Sequence, residues 1–195
     1  GARALAMGEA FGPVADGAEA IYWNPAGLAQ LRTPQLSYTR SEFLQFFHHD
    51  FAAFAQPLPS FGTLGISFTH LSQDSLPVVS NSNITLGRFA PHSEAVAIAY
   101  AHAFPMDDSE GKNLRYFGQS WSLPGAYHPF TDHDFWAGAL AVGVSLKVLQ
   151  ESLYQRNTSA VAVDGGVLFK PVALEDLSLS FVLRNLGSKE RFIAY

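Results

Sequence analysis

The stretch EAVAIAYAHAF, residues 94–104, alternates between two kinds of side chain at every step. All of its odd positions are alanine, whereas its even positions include Val96, Ile98, Tyr100 and Phe104. A period of two places alternate side chains on opposite faces of a β-strand. The stretch therefore predicts a strand with one face of small residues and one face of large, mostly apolar residues.

The same alternation recurs along the chain and predicts six further strands. Four of them alternate regularly and cover residues 61–71, 136–148, 160–169 and 177–184. Two weaker ones cover residues 35–40 and 50–58. The face of small residues carries mostly Ala, Gly, Ser and Thr with rare charges. The outer face of a soluble sandwich would instead present Lys, Glu and Gln to water. This pattern is typical of a β-barrel whose large residues face lipid. A soluble β-sandwich with one poor outer face is the alternative.

Composition narrows the class of protein further. The 195 residues are 48% hydrophobic, 13% aromatic and only 15% charged, which predicts one domain with part of its surface turned away from water. The net charge of -5 without a basic block argues against nucleic-acid binding. Without cysteine, neither disulfides nor thiolate metal sites can form. A chain that starts at Gly1 is expected to be a processed mature protein or a piece of a longer one.

The N-terminal stretch GARALAMGEAFGPVADGAEAIYWNPAGLAQL, residues 1–31, carries a recognisable pattern. It resembles the N-terminal signature of the FadL-like outer-membrane β-barrels, most closely their PorV/PorQ-type, type IX secretion-associated branch. Later pieces, PLPSFGTLGISFTHLS, AVAVDGGVLFKP and LSLSFVLRNLG, resemble successive strands of that branch. The resemblance implies an antiparallel transmembrane barrel in the outer membrane of a Gram-negative-type bacterium. It also implies that a signal peptide has been removed. Residues 1–31 are then expected to form a plug, or hatch.

Barrels of the resembled family have roughly fourteen strands, and single bacterial chains close with an even number. Seven strands in 195 residues therefore describe about half of such a barrel. We expect the natural protein to continue beyond Tyr195, or the sequence to join separate pieces.

The backbone properties of the residues at the centre of the plug motif predict a compact turn. Pro25 ends a preceding helix, Asn24 can bond to nearby backbone, and Gly27 allows a positive φ or a close backbone approach. A compact turn of this kind could fill a space lined by alanine. The alternative is that the motif only caps a helix and turns the chain into a strand. The candidate plug residues are Tyr22, Trp23, Asn24, Pro25, Ala26 and Gly27.

No catalytic constellation emerges from the sequence, so we expect no enzymatic activity, no cofactor and no metal site. The motifs FFHHD (46–50) and HPFTDHD (128–134) match no zinc spacing and are predicted to lie in solvated loops. The resemblance favours a role in protein secretion or surface attachment. A FadL-like passage for hydrophobic molecules is the alternative, and a soluble binding module is the second. The expected partners are outer-membrane lipid and either secretion-system proteins or a hydrophobic ligand.

Strand parity predicts which loops share an end of the barrel. With a periplasmic N-terminus, residues 57–60, 105–135 and 171–176 are periplasmic, and 45–49, 72–92 and 150–157 are external. The aromatic residues expected to form a periplasmic girdle are Phe61, Phe104, Trp136 and Phe169. The aromatic-rich insertion 105–135 is the candidate partner-contact segment, although it could instead add a hairpin or pack as an irregular loop.

Three charged residues fall on the small-residue faces of consecutive strands. Lys147, Asp164 and Arg184 are predicted to form an inward ladder, with Lys147 opposite Asp164 and Asp164 opposite Arg184. Their pairing places the hairpin connections at 154–157 and 172–176. A carboxylate between two cations would be held ionised and could help to anchor the plug. Three separately hydrated charges are the alternative.

Overall fold

The computed structural model describes residues 2–43, 46–58, 61–105, 139–154, 156–171 and 177–187. These residues form nine β-strands and a few short helical turns, as the alternating sequence predicts for an all-β protein. The strands are β1 (Gln35–Phe43), β2 (Phe47–Leu58), β3 (Gly62–Gln73), β4 (Leu76–Val79), β5 (Thr85–Phe89), β6 (His92–Pro105), β7 (Ala139–Leu153), β8 (Arg156–Lys170) and β9 (Leu179–Gly187).

Seven of these strands form one antiparallel sheet in the order β1-β2-β3-β6-β7-β8-β9. They correspond to the seven predicted strands, so the all-β class is confirmed. The remaining two, β4 and β5, form a separate hairpin. This hairpin lies within 72–92, which was predicted to be only a loop, because its residues do not alternate regularly. Histidines 48 and 49 lie in β2 and not in the predicted loop.

The two faces of the seven-stranded sheet differ in side-chain size. The face that we call the covered face carries mainly alanine, glycine and serine. Its buried alanines are Ala53, Ala55, Ala97, Ala99, Ala101, Ala103, Ala141, Ala160 and Ala162. The opposite face, which we call the apolar face, carries the large side chains of the same strands. Its central row crosses all seven strands through Leu36, Phe54, Ile66, Ile98, Leu146, Val163 and Leu186.

The N-terminal residues lie on the covered face as a compact segment of short helices. These are α1 (Ala2–Ala6), a 3₁₀ turn at Gly12–Val14, α2 (Ala20–Trp23) and a 3₁₀ turn at Pro25–Gln30. Large side chains of this segment are buried against the sheet alanines, and they include Phe11, Ile21, Leu28 and Leu31. We call residues 2–31 the plug segment. In the part of the chain that the structure describes, no helix is long and apolar enough to cross a membrane.

Candidate functional site

Asn24 is the polar centre of the plug segment. It is fully buried, and its side-chain oxygen accepts a hydrogen bond from the Ala26 amide at 3.1 Å, which caps the 3₁₀ turn that begins at Pro25. Its side-chain amide donates to the Gly12 carbonyl at 3.2 Å and to the Val167 carbonyl of β8 at 3.4 Å. The Asn24 side chain thus forms hydrogen bonds with backbone groups of the plug segment and also links this segment to β8.

The residues after Asn24 lie against strand positions that lack a side chain. A Cβ atom at Gly143 would meet the backbone of Pro25 and Ala26, and one at Gly166 would meet the Asn24 side chain. Gly143 and Gly166 are register partners on β7 and β8. The two strand glycines therefore make a shallow place in the covered face that receives the Asn-Pro-Ala turn.

Gly27 is needed for a close approach within the plug segment itself. A Cβ there would meet the Ala15 carbonyl oxygen, and the φ of Gly27 is not positive. Of the two roles predicted for this glycine, close approach is therefore the one observed. The motif packs on the sheet through buried residues, so it does more than end α2 and turn the chain toward β1.

Further polar contacts hold the plug segment to β8 and to the β9 region. Lys170 donates to the Gln30 side chain at 3.3 Å, and Ser178 donates to the Pro13 carbonyl at 2.9 Å. Within the segment, Arg3 and Asp16 form an exposed ion pair at 2.8 Å. The hydrogen bond from the Arg3 guanidinium to Asp16 raises the pKa of Arg3 above its ordinary value.

Asp164 is a buried carboxylate on the covered face, with 1% of its side chain exposed. Lys147 lies 2.8 Å from one carboxylate oxygen, which Ser145 also approaches at 3.4 Å. The backbone N–H of Asn185 donates to the other oxygen at 2.7 Å. The predicted Lys147–Asp164 contact is therefore present, within a denser set of donors than the sequence indicates.

The predicted register of this pair is wrong by two residues. Lys147 is opposite Ala162, and Asp164 is opposite Ser145, because β7 and β8 are joined by a tight turn after Leu153. Tyr154 in that turn has a φ of 54°, which short hairpin connections use. The long Lys147 side chain reaches Asp164 diagonally.

The predicted contact between Asp164 and Arg184 is also wrong. The pairing of β8 with β9 shifts between Val163 and Gly165, and Asn185 adopts a φ of 60° at this bulge. Asn185 therefore takes the place beside Asp164. The Arg184 guanidinium lies instead over two rings of the plug segment, 5.6 Å from the Tyr22 ring centre and 5.9 Å from that of Trp23.

Three of the four predicted girdle aromatics lie at one end of the sheet. Phe104 and Phe169 are both register partners of Leu140, and Phe61 precedes β3 at the same end. Trp136 and residues 106–135 of the predicted insertion 105–135 lie outside the described residues. The common end is as strand parity predicts, whereas its periplasmic location stays a prediction.

At the other end of the apolar face, large side chains give way to polar ones within one row. The row that follows Phe68 and Val96 along the register consists of Arg40, Asp50, His70, Glu94, Gln150 and Ser159. Several of these residues bond to one another. Asp50 accepts a hydrogen bond from Tyr38 at 2.7 Å and lies 3.6 Å from Arg40, and His70 lies 3.3 Å from Glu94. The change in polarity is sharp and occurs on every strand that reaches this row.

Comparison of the chain with family models, with curated proteins and with solved structures finds no match. The site consists of a sheet with one face occupied by the plug segment, which is held by polar contacts, and the other face exposing large apolar side chains.

Proposed function

We propose that the chain is part of an outer-membrane β-barrel whose apolar face contacts lipid and whose covered face surrounds the plug segment. On this proposal the barrel is closed, and the protein acts without catalysis in protein secretion or surface attachment. The observation that carries the proposal is the apolar face. Its central row leaves between 38% and 80% of each side chain exposed.

The apolar rows form a band of bounded height. We call this the apolar band, and it runs on β6 from Phe104 to Val96 and on β7 from Leu140 to Val148. Eight residue steps correspond to about 27 Å along a strand, and to about 21 Å across a bilayer at a tilt of about 40°. That height is close to the band of about 25 Å that outer-membrane barrels present to lipid. In the described strands the band contains no Asp, Glu, Lys or Arg, and its polar exceptions include Gln56 and His102.

Aromatic residues at both limits of the band support the same interpretation. Phe61, Phe104 and Phe169 lie at one limit, and Tyr38 and Phe68 lie next to the polar row at the other. Outer-membrane barrels carry girdles of aromatic residues at both membrane–water interfaces. A soluble sandwich would have no reason to confine its exposed apolar residues between two such limits.

The plug segment favours secretion or attachment over a passage for small molecules. It is tethered through Asn24, Gln30 and the Pro13 carbonyl, and it packs directly against Gly143 of β7 and Gly166 of β8. Passage of a ligand would require these contacts to break. A barrel component that holds or hands over other proteins can function with its interior occupied.

Fractionation of the bacterium that produces the protein tests the proposal. We expect the protein in the outer membrane after density separation, resistant to carbonate extraction, and its deletion to release normally attached surface proteins into the medium. Recovery in the soluble fraction would contradict the membrane assignment. Unchanged surface proteins together with lost uptake of hydrophobic compounds would contradict the secretion role and favour transport.

A further inference from the structure

Among the described strands, the middle row of the apolar band contains a glycine with open space beside it. The row that contains Leu64, Tyr100, Val144, Gly165 and Leu183 crosses β3, β6, β7, β8 and β9. Gly165 alone contributes no side chain to it. A Cβ built on Gly165 would have no atom within 4 Å, so the missing side chain leaves open space.

The gap lies in a depression of about 350 Å³ that opens on the apolar face. The side chains that line it on the apolar face are those of Val144, Val163, Val167, Phe181, Leu183 and Leu186. Asp164 also borders it, but its buried carboxylate is paired with Lys147 on the covered face. The ladder between β8 and β9 is interrupted here, since its register shifts between Val163 and Gly165. A bulge and a glycine together therefore create a recess in a surface that is otherwise covered by side chains.

The place of the recess within the band limits what can occupy it. Gly165 lies in the third of five apolar rows, and so about midway between the aromatic limit at Phe169 and the row of Val161. A headgroup has no reason to lie at that depth, because the charged row begins beyond Val161. An occupant at mid-band must be hydrocarbon.

We propose that this recess binds one acyl chain of a membrane lipid. The inference rests on the proposed membrane function, because the bilayer is what places lipid against the apolar band. The recess is continuous with that band, its side chains on the apolar face are hydrocarbon, and its volume is at the lower end of the roughly 300–1,000 Å³ typical of small-molecule sites. A chain bound there would pack against the outer side of Gly143 and Gly166, the two strand glycines that receive the plug segment.

Photo-crosslinking with a phosphatidylcholine that carries a diazirine near the end of one acyl chain tests the proposal. The whole protein is reconstituted in bilayers that contain a small fraction of this lipid, irradiated and digested. We expect crosslinks on β8 and β9 around Gly165 to exceed those at Leu146 and Val96 at least fivefold. In the variant Gly165→Leu, whose side chain fills the recess, the excess should disappear.

Val161→Leu is the matched control, because it adds bulk to the same strand and the same face outside the recess. It should leave the crosslinks around Gly165 unchanged. Protease resistance of the plug segment, measured on both variants, establishes that they are folded. Crosslinks spread evenly over the band, or an excess that persists in Gly165→Leu, would overturn the acyl-chain site while leaving the membrane function intact. Absence of crosslinks from the whole apolar face would instead contradict the membrane function.

Discussion

The covered face and the apolar face belong to the same strands, yet their burial is opposite to that of a soluble protein. Ile98 and Ala99 are neighbours in β6, and Ile98 is 59% exposed while Ala99 is 1% exposed. Small residues are buried because the plug segment approaches their backbone closely, and large residues are left outside. A protein in water would lose stability by this arrangement, so the comparison supports the proposal that the large residues contact lipid.

Neighbouring residues on the two faces allow the difference to be tested within a few positions, beginning with Lys147 on the covered face. Lys147→Met leaves the Asp164 carboxylate buried without its cation. We expect the free energy of unfolding to fall by about 3–5 kcal/mol, because an unpaired buried charge is costly. Denaturant titration of the reconstituted protein measures this, and the double variant with Asp164→Asn should recover most of the loss. A single variant as stable as the parent would show that the pair does not contribute.

Leu146, the preceding residue, tests the apolar face. Leu146→Lys places a charge at the middle of the proposed membrane band, and we expect a loss of about 2–4 kcal/mol in phospholipid vesicles. Gln150→Lys, on the same strand and face but in the polar row, should cost at most about 1 kcal/mol. Equal effects of the two substitutions would contradict a band with a depth-dependent lipid contact.

Gly166 and Gly165 form a third comparison. Gly166→Leu directs its side chain into Asn24 and Pro25, and we expect a loss of about 1–3 kcal/mol from overpacking, together with protease cleavage of the plug segment. Gly165→Leu directs the same side chain into open space on the other face. It should leave both the free energy of unfolding and the protease resistance close to those of the parent. Equal losses of stability and of protease resistance in Gly166→Leu and Gly165→Leu would contradict the packing of the plug segment against Gly166.

Arg184 should give the smallest effect. Arg184→Gln removes the cation over the Tyr22 and Trp23 rings, and exposed cation–π contacts contribute about 0.5–1 kcal/mol. The fluorescence of Trp23 should shift in position while the Asp164 cluster stays intact. Arg184→Lys, which keeps the charge, should retain part of the contact. A loss of free energy of unfolding as large as that of Lys147→Met would contradict this assignment and support the predicted contact of Arg184 with Asp164.

The strands were predictable from the sequence because a period of two reports directly which side chains share a face. The hairpin of β4 and β5 was not predictable in this way, since Pro77 and Gly87 interrupt any alternation. The buried Lys147–Asp164 contact could be predicted from the face, although not from the register, because one tight turn at Tyr154 moves every partner by two residues.

Composition and alternation by themselves determined that this chain forms antiparallel strands with a small and a large face, and the Asn-Pro-Ala-Gly stretch marked a compact turn before the first strand. These are local properties, because φ/ψ preferences and side-chain period act over a few residues. Only the tertiary structure decided that the turn rests on Gly143 and Gly166, and that Asn185 and not Arg184 lies beside Asp164. Both outcomes depend on a strand register and a bulge, which arise from pairing between residues distant in the chain.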